Sequence, residues 1–144
     1  MGQGTDGGGQ GLQIPKPLYD QLVLHCRQVW PKEEACGFLI ANAGGWIEKV
    51  YPMTNVEHSP IGYSMDPKEQ LRVERELRQH GQKIVGIYHS HIATEAYPST
   101  VDTSHAISPD ISYVIVSFKD VRSPDVRSYR IDGAAVTGED VRVV

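Results

Sequence analysis

Cysteine is scarce in this sequence, and long apolar runs are absent from it. Only Cys26 and Cys36 occur among its 144 residues, too few for a disulfide framework, and neither has the paired spacing of a zinc-finger ligand. No apolar stretch approaches the ~18 residues that span a membrane. No charged region followed by an apolar region, as in a signal peptide, is expected at the start of the sequence. We therefore expect a reducing, cytoplasmic setting, no membrane partner, and a small core residue rather than a nucleophile at Cys36.

Basic clusters are lacking as well. The net charge is -4 at pH 7 and no group of Lys or Arg residues marks a nucleic-acid groove, so nucleic acid is not an expected partner. A hydrophobic content of 40% in 144 residues suits one domain, and a domain of that size buries about 70% of its unfolded surface. The Gly-rich segment 1–11 has no apolar anchors and is expected to be disordered, which leaves 12–144 as the folded domain.

Apolar spacing and turn residues predict alternating helices and strands. The spacing over 18–29 predicts a first helix, and Asp66 and Pro67 mark the start of a second that runs to about residue 80. A short third helix is predicted to open over 99–102 and to continue over 103–107. The predicted strands are 38–40 and 46–51, joined by turn residues 42–45, then 83–88, 111–118, 126–131 and 141–144. We expect a single α/β domain with a mixed, curved sheet flanked by helices.

Two histidines and an aspartate have a spacing that suits one divalent metal ion. His89 and His91 follow the apolar run 84–88, so they are predicted to end a buried strand, where residues i and i+2 point the same way. A seven-residue loop then leads to Ser99 and Asp102. Two imidazoles and one carboxylate are typical of catalytic zinc, which leaves a fourth position for water. The pattern predicts a zinc-dependent hydrolase with its metal at the edge of the sheet.

Each part of this pattern also has a simpler interpretation. Ser99 and Asp102 at a spacing of three residues form a capping box at a helix start. A His-x-His sequence at a strand end is often hydrogen-bonded and half exposed without a metal. Only the complete pattern, joined by a carboxylate elsewhere in the chain, favours the metal site over these alternatives.

The carboxylate that best completes the pattern is Glu34. It precedes an apolar strand that starts near Ala35, so its side chain is placed at the mouth of a cleft. There a carboxylate can take a proton from zinc-activated water and deliver it to a leaving amine. The alternative is that Glu33 and Glu34 are solvated loop charges.

With these residues in place, the chain resembles a known family. The JAMM metalloproteases, also called MPN-plus or Mov34/PAD-1 domains, share one motif. It consists of a Glu well upstream, followed by His-x-His, seven residues, Ser, two residues and Asp. The resemblance extends over roughly 12–144 and is strengthened by segments like those of bacterial members that release cysteine from a sulfur-carrier protein. These segments are 34–37, 52–55, 89–99 and 127–131.

The resemblance implies a fold and a role for each residue of the motif. It implies the cytidine-deaminase-like fold of the family and one Zn²⁺ ion held by His89, His91 and Asp102. Glu34 is then the general acid and base, and Ser99 donates a hydrogen bond to the oxyanion. Tyr63, in the irregular stretch 54–63, is implied as a contact of the substrate tail. His58 in the same stretch is expected only to be exposed.

The resemblance also implies the substrate. It is an amide or isopeptide bond after the C-terminal Gly-Gly tail of a ubiquitin-like or sulfur-carrier protein, and such a tail is slim enough to lie extended along a strand edge. One alternative is a deubiquitinase-like isopeptidase, and another is an enzyme that trims a carrier precursor. A non-catalytic scaffold is the third alternative, but scaffold relatives lack the His and Asp ligands that this chain has.

Overall fold

One mixed sheet of six strands organises the protein, and two further strands form a separate parallel pair. The computed structural model describes residues 11–144; residues 1–10, which hold all but one residue of the predicted disordered segment, lie outside the described part. Gly11 itself is buried. In chain order the elements are β1 (Leu12–Ile14), α1 (Lys16–Val29), β2 (Cys36–Ala41), β3 (Ile47–Met53), α2 (Pro67–Gln79), β4 (Lys83–His91), α3 (Thr100–Ser104), β5 (Ser112–Ser117), β6 (Asp125–Asp132), β7 (Ala135–Glu139) and β8 (Val141–Val143).

The strand order places β4 inside the sheet. Within the described residues the order is β3-β2-β4-β5-β6-β7, and β1 pairs with β8. The β4 and β5 strands are parallel, with His91 opposite Ser117, whereas the other neighbours in the large sheet are antiparallel. The α/β prediction with a mixed sheet is confirmed. The predicted position of the metal site needs correction, because its histidines end an interior strand rather than lying on an edge strand.

Helices cover both faces of the sheet. Leu22 and Cys26 of α1 join one apolar cluster with Tyr88, and Val73 and Leu77 of α2 join a second cluster on the other face. All six residues of β2 and all six of β5 are buried, as expected for strands covered on both sides. The α2 helix starts where predicted, since the Asp66 side chain accepts a hydrogen bond from the amide of Lys68 at 3.0 Å.

Glycine is required at one position next to the site. A Cβ atom at Gly37 would lie 2.4 Å from the ring of Tyr88, whose side chain is fully buried. Tyr88 directly precedes His89 in β4, and Gly37 faces Tyr88 across the β2 and β4 pair. The absence of a side chain at Gly37 therefore lets the central strands pack around the Tyr88 ring.

Three elements of the structure differ from the prediction. The third helix was predicted to open over 99–102 and to continue to 107, but it ends at Ser104, because the amides of Ile107 and Ser108 donate to the Tyr113 hydroxyl, both at 2.9 Å, instead of continuing the helix. The β1 and β7 strands were not predicted. Within residues 11–144 no helix has the length and apolar character needed to cross a bilayer.

Candidate metal centre

His89 and His91 converge at the carboxyl end of β4. Their Nε2 atoms are 3.1 Å apart, and the two residues are only 4% and 5% exposed. The Nδ1 atom of His91 donates to the carbonyl of Glu95 at 2.8 Å, which leaves the Nε2 lone pair of His91 available to a metal. The prediction that the two side chains point the same way is confirmed.

Asp102, at the start of α3, is the third member of this group. Its Oδ2 atom lies 3.2 Å from the Nε2 atom of each histidine. The amide of Ser99 donates to the same Oδ2 atom at 2.8 Å, and the Ser99 Oγ atom accepts from the Asp102 amide at 3.1 Å. The capping box is therefore present, and it is no alternative to the ligand set, because its hydrogen bonds direct the Asp102 carboxylate toward the histidines.

The geometry of the three donor atoms fits a tetrahedral metal ion. Their separations are 3.1, 3.2 and 3.2 Å, and a tetrahedral ion with bonds of about 2.0 to 2.1 Å places neighbouring ligands about 3.3 to 3.4 Å apart. Within residues 11–144, His89, His91 and Asp102 are the one group of three such side chains close enough to share an ion. Two nitrogens and one carboxylate oxygen are the donor set of a catalytic zinc site.

Burial and hydrogen bonding prepare these side chains for a cation. Burial lowers the pKa of His89, which favours the neutral imidazole. Burial alone would raise the pKa of Asp102, but hydrogen bonds with His89 and His91 outweigh it and hold that pKa well below its usual range. Neutral imidazole and ionised carboxylate are the forms that bind metal, so His89 and Asp102 already favour the binding forms. Burial alone would lower the pKa of His91, but hydrogen bonds with Asp102 and the Glu95 carbonyl raise it, so His91 is the member of the cluster that must release a proton to accept an ion.

Glu34 is buried beside this cluster. It is 6% exposed, so the interpretation of Glu34 as a solvated loop charge is wrong. Glu33 is the more exposed of the pair and contacts His58 at 3.1 Å across the surface. Burial raises the pKa of the Glu34 carboxyl to about 8, although His91 acts in the opposite direction. A carboxyl group with such a pKa can both accept and release a proton near neutral pH.

A cavity of about 300 Å³ opens onto Glu34, His91, Ser99 and Asp102. Its remaining lining comes from three parts of the chain, which are Pro60, Ile61, Gly62 and Tyr63, then Ile92, Ala93 and Thr94, and then Val101 and His105 in and just after α3. The ring of Tyr63 stacks on that of His89, with centroids 4.7 Å apart and planes at 30°. Tyr63 therefore lines the cavity, as its predicted role requires, and its ring also packs against the imidazole of His89.

The loop between His91 and Ser99 is fastened through its carbonyl oxygens. Trp30 Nε1 donates to the carbonyl of Ile92 at 3.2 Å, and Ser117 Oγ donates to that of Thr94 at 2.6 Å. The Tyr129 hydroxyl donates to the carbonyl of Ala96. These bonds hold the segment that carries the Glu95 carbonyl and therefore hold His91 in orientation.

Comparison with known proteins identifies the family. The sequence profile described as prokaryotic homologs of the JAB domain matches residues 15–132, which is most of the chain. The chain belongs to this family. The match includes every residue of the predicted site in the JAB domain, from Glu34 to Asp102.

Characterised relatives of this JAB domain include several proteases. The chain is 46% identical over 134 residues to the CysO-cysteine peptidase of Mycobacterium tuberculosis, which covers 92% of this chain and 91% of that protein. It is 30% identical to the desampylase of Haloferax volcanii, over 74% of this chain and 80% of the relative. It is 32% identical to a probable TtuB-protein conjugate cleaving protease of Thermus thermophilus, over 83% and 80% of the two chains.

Solved structures agree with the fold of the JAB domain. The solution structure of protein DSY2949 from Desulfitobacterium hafniense has a TM-score of 0.81 at 36% identity, over 92% of both chains. The crystal structure of AF2198, a JAB1/MPN domain protein from Archaeoglobus fulgidus, has a TM-score of 0.61 at 18% identity and covers 92% of this chain and 99% of that one. The more distant likeness supports the fold alone.

Sequence reasoning missed some residues that support the site in the JAB domain. Asn55 is 3% exposed and hydrogen-bonds the carbonyl of Glu34 at 3.0 Å. Trp30, Ser117 and Tyr129 hold the loop after His91. Asn55 and Tyr129 lie in segments 52–55 and 127–131, which strengthened the family resemblance, but no role was predicted for them. Each of these side chains is far in sequence from the group that it supports, so no local spacing reveals the contact.

Proposed function

We propose that this protein is a zinc-dependent metallopeptidase that hydrolyses an amide or isopeptide bond after the C-terminal Gly-Gly of a ubiquitin-like or sulfur-carrier protein. The observation that carries the proposal is the group of His89, His91 and Asp102 at one end of a cavity that also exposes Glu34 and Ser99. Named proteases among the relatives support a hydrolase. Release of cysteine is the favoured reaction, because the 46% identical relative is a CysO-cysteine peptidase.

Each residue of the site has a separate role in the proposed reaction. One zinc ion held by His89, His91 and Asp102 supplies polarisation of the scissile carbonyl and acidification of a water molecule when it is bound. Glu34 accepts a proton from the attacking water and returns it to the departing amine. The Ser99 hydroxyl donates a hydrogen bond to the oxygen that becomes negative in the tetrahedral intermediate. Tyr63 contacts the substrate tail while its ring supports His89.

The cavity supports a slim substrate. At about 300 Å³, it has room for a few small residues and not for a folded domain. An extended Gly-Gly tail is narrow enough to reach the metal ligands from a carrier that remains outside.

A second reaction is favoured by the other relatives. The desampylase and the TtuB-protein conjugate cleaving protease are named for the cleavage of protein conjugates, which supports an isopeptidase acting on carrier linked to protein lysine. Trimming of a carrier precursor uses the same residues. A non-catalytic scaffold is disfavoured because the metal ligands, Glu34 and Ser99 are all present and close together.

Intact-mass analysis tests the proposal. The zinc-loaded protein and its Glu34→Gln variant are incubated with a carrier ending in Gly-Gly-Cys, with the same carrier joined to a lysine side chain, and with a precursor extended beyond Gly-Gly. Loss of one cysteine from the first substrate with the wild type alone supports the favoured reaction. Cleavage of only the second or third substrate selects an alternative, and no cleavage of any by protein with stoichiometric zinc overturns the peptidase proposal.

A further inference from the structure

Asn55 is a buried side chain with its full set of hydrogen bonds. It is 3% exposed. Its Nδ2 atom donates to the carbonyls of Glu34 and Gly62, both at 3.0 Å. Its Oδ1 atom accepts from the amides of Glu57 at 3.0 Å and Ser64 at 3.3 Å. The two N–H donors and both lone pairs of the amide are thus occupied, and this satisfies the polar group inside the protein.

These bonds join Glu34 to the opposite wall of the cavity. The carbonyl of Glu34 is held by Asn55, and its amide donates to the carbonyl of Ser59 at 2.8 Å, so both backbone polar groups of Glu34 are held by segment 55–64. The second Asn55 donor holds Gly62, which lines the cavity next to Tyr63. One side chain therefore sets the distance between the buried carboxylate and the wall that stacks on His89.

Segment 55–64 has no helix or strand of its own to keep this distance. Its backbone pairing consists of an isolated bridge between Ser59 and Gly62 and a hydrogen bond from the Val56 amide to the Ser64 carbonyl at 3.0 Å, and His58 has a positive φ of 48°. The exposed contact of His58 with Glu33 is the other side-chain link between this segment and the residues around Glu34 that the structure records at hydrogen-bond distance. The Asn55 bonds are consequently the buried side-chain support of the segment on this side of the site, beside the backbone bond from Glu34 to Ser59.

We propose that Asn55 is a positioning residue that fixes Glu34 relative to the metal ligands and the cavity wall. The inference rests on the proposed function, in which Glu34 moves the proton. Proton transfer requires the carboxylate within hydrogen-bond reach of the water, and a misplacement of about 1 Å can lower a rate by about 10²-fold. Asn55 acts through Glu34 and through the Gly62 wall and touches no reacting atom itself.

The first test is the Asn55→Ala variant, with His58→Ala as the matched control. Both changes remove a contact between segment 55–64 and the residues around Glu34, but only the first removes the bond to the Glu34 carbonyl. We expect Asn55→Ala to lower kcat by about ten- to hundredfold, with KM changed less than about threefold and zinc stoichiometry unchanged. His58→Ala should leave kcat within about twofold. Equal kcat values in the two variants overturn the proposal.

A double-mutant cycle separates positioning from general loosening. Single-turnover rates are compared for the wild type, Asn55→Ala, Glu34→Gln and the double variant. If Asn55 acts through Glu34, its loss lowers the rate in the wild-type background and leaves the residual rate of Glu34→Gln nearly unchanged. The same fold-loss in both backgrounds overturns the proposal, since it marks a structural effect that is independent of Glu34.

Folding and failure of the proposed function are tested separately. If Asn55→Ala does not fold, Asn55→Asp replaces it, because it keeps the Oδ1 acceptor and removes both donors; unfolding of both variants overturns the positioning role.

If the zinc-loaded wild type cleaves none of the substrates, the peptidase proposal fails by itself. The ¹³C resonance of the Glu34 carboxyl then decides the inference: we expect it to shift in zinc-loaded Asn55→Ala and not in His58→Ala, and no shift in either contradicts positioning.

Discussion

The Oγ atom of Ser90 accepts a hydrogen bond from the amide of Ala35 at 2.8 Å, and the Ser90 amide donates to the Ala35 carbonyl at 3.1 Å. Ser90 lies between His89 and His91, and Ala35 directly follows Glu34. These bonds therefore link the strand that carries the two histidines to the segment that carries the buried carboxylate. The Ser90 side chain is fully buried, so both bonds lie away from solvent.

The Ser90→Ala variant tests this link. The change leaves the buried Ala35 amide without its acceptor, so we expect the free energy of unfolding to fall by about 1 to 3 kcal/mol. Urea denaturation measures the loss. The matched control is Ser104→Ala, whose hydroxyl donates to the Val101 carbonyl at the surface and whose removal should cost less than about 0.5 kcal/mol. Equal losses in the two variants would contradict the prediction.

Ser99 is expected to have two separable roles. Its Oγ atom accepts from the Asp102 amide while its O–H remains available as a donor. Ser99→Ala should lower the rate by about 10² to 10³-fold through loss of the oxyanion donor and stability by about 1 kcal/mol through loss of the cap. Ser99→Thr keeps both the acceptor and the O–H, so it should retain most of the rate and most of the stability. A stability loss in Ser99→Ala without a specific effect on kcat would leave the cap as its only role.

Zinc should stabilise the folded protein through the three ligands. A ligand that binds only the folded state at a concentration a hundredfold above its Kd adds about 2.7 kcal/mol to the free energy of unfolding. We expect zinc to raise the Tm of the wild type and of Glu34→Gln and to leave the Tm of Asp102→Asn nearly unchanged. Differential scanning fluorimetry in zinc and in a chelator measures this. An equal zinc-dependent shift in Asp102→Asn would exclude Asp102 as a ligand.

His25 should make stability depend on pH. Its Nδ1 atom lies 2.7 Å from the hydroxyl of Tyr88, and burial lowers the pKa of His25 from 6.5. Because the unfolded chain then binds the proton more readily than the folded one, the contribution of His25 is fully present above pH 6.5 and is lost as the pH falls through its lowered pKa. Urea midpoints of the chelator-treated protein at pH 7.5 and 5.5 should differ less in His25→Gln than in the wild type. An equal pH dependence in the two proteins would contradict this.

The local sequence pattern predicted those elements that are determined by residues close together in the chain. His89 and His91 share a face because alternate residues in a strand do, and the start of α2 follows from the Asp66 cap and Pro67. The grouping of His89, His91 and Asp102 was predictable because Asp102 is brought back by a short loop and a helix start of recognisable composition. The sequence indicated this grouping without any knowledge of tertiary contacts, and the binding of a metal by the group stays a prediction.

Elements that depend on distant partners could not be predicted in this way. The three residues of β1 become a strand only by pairing with β8 at the other end of the chain, and β7 is a largely exposed edge strand that lacks an apolar face. The third helix ends early because Tyr113 captures two amides that would otherwise continue it. Glu34 is likewise held by hydrogen bonds with Asn55 and Ser59, which no spacing rule connects to it.

The two walls of the cavity differ in how they are secured. The wall after His91 is held at three alternate carbonyls, those of Ile92, Thr94 and Ala96, by side chains from other parts of the fold, Trp30, Ser117 and Tyr129. The wall formed by residues 60–63 is exposed at Ile61, which is 90% accessible, and is attached through the Asn55 side chain and the neighbouring backbone bond between Glu34 and Ser59. Under the proposed function, substitution at residues 60–62 can therefore change substrate preference while the residues that carry the chemistry stay constant.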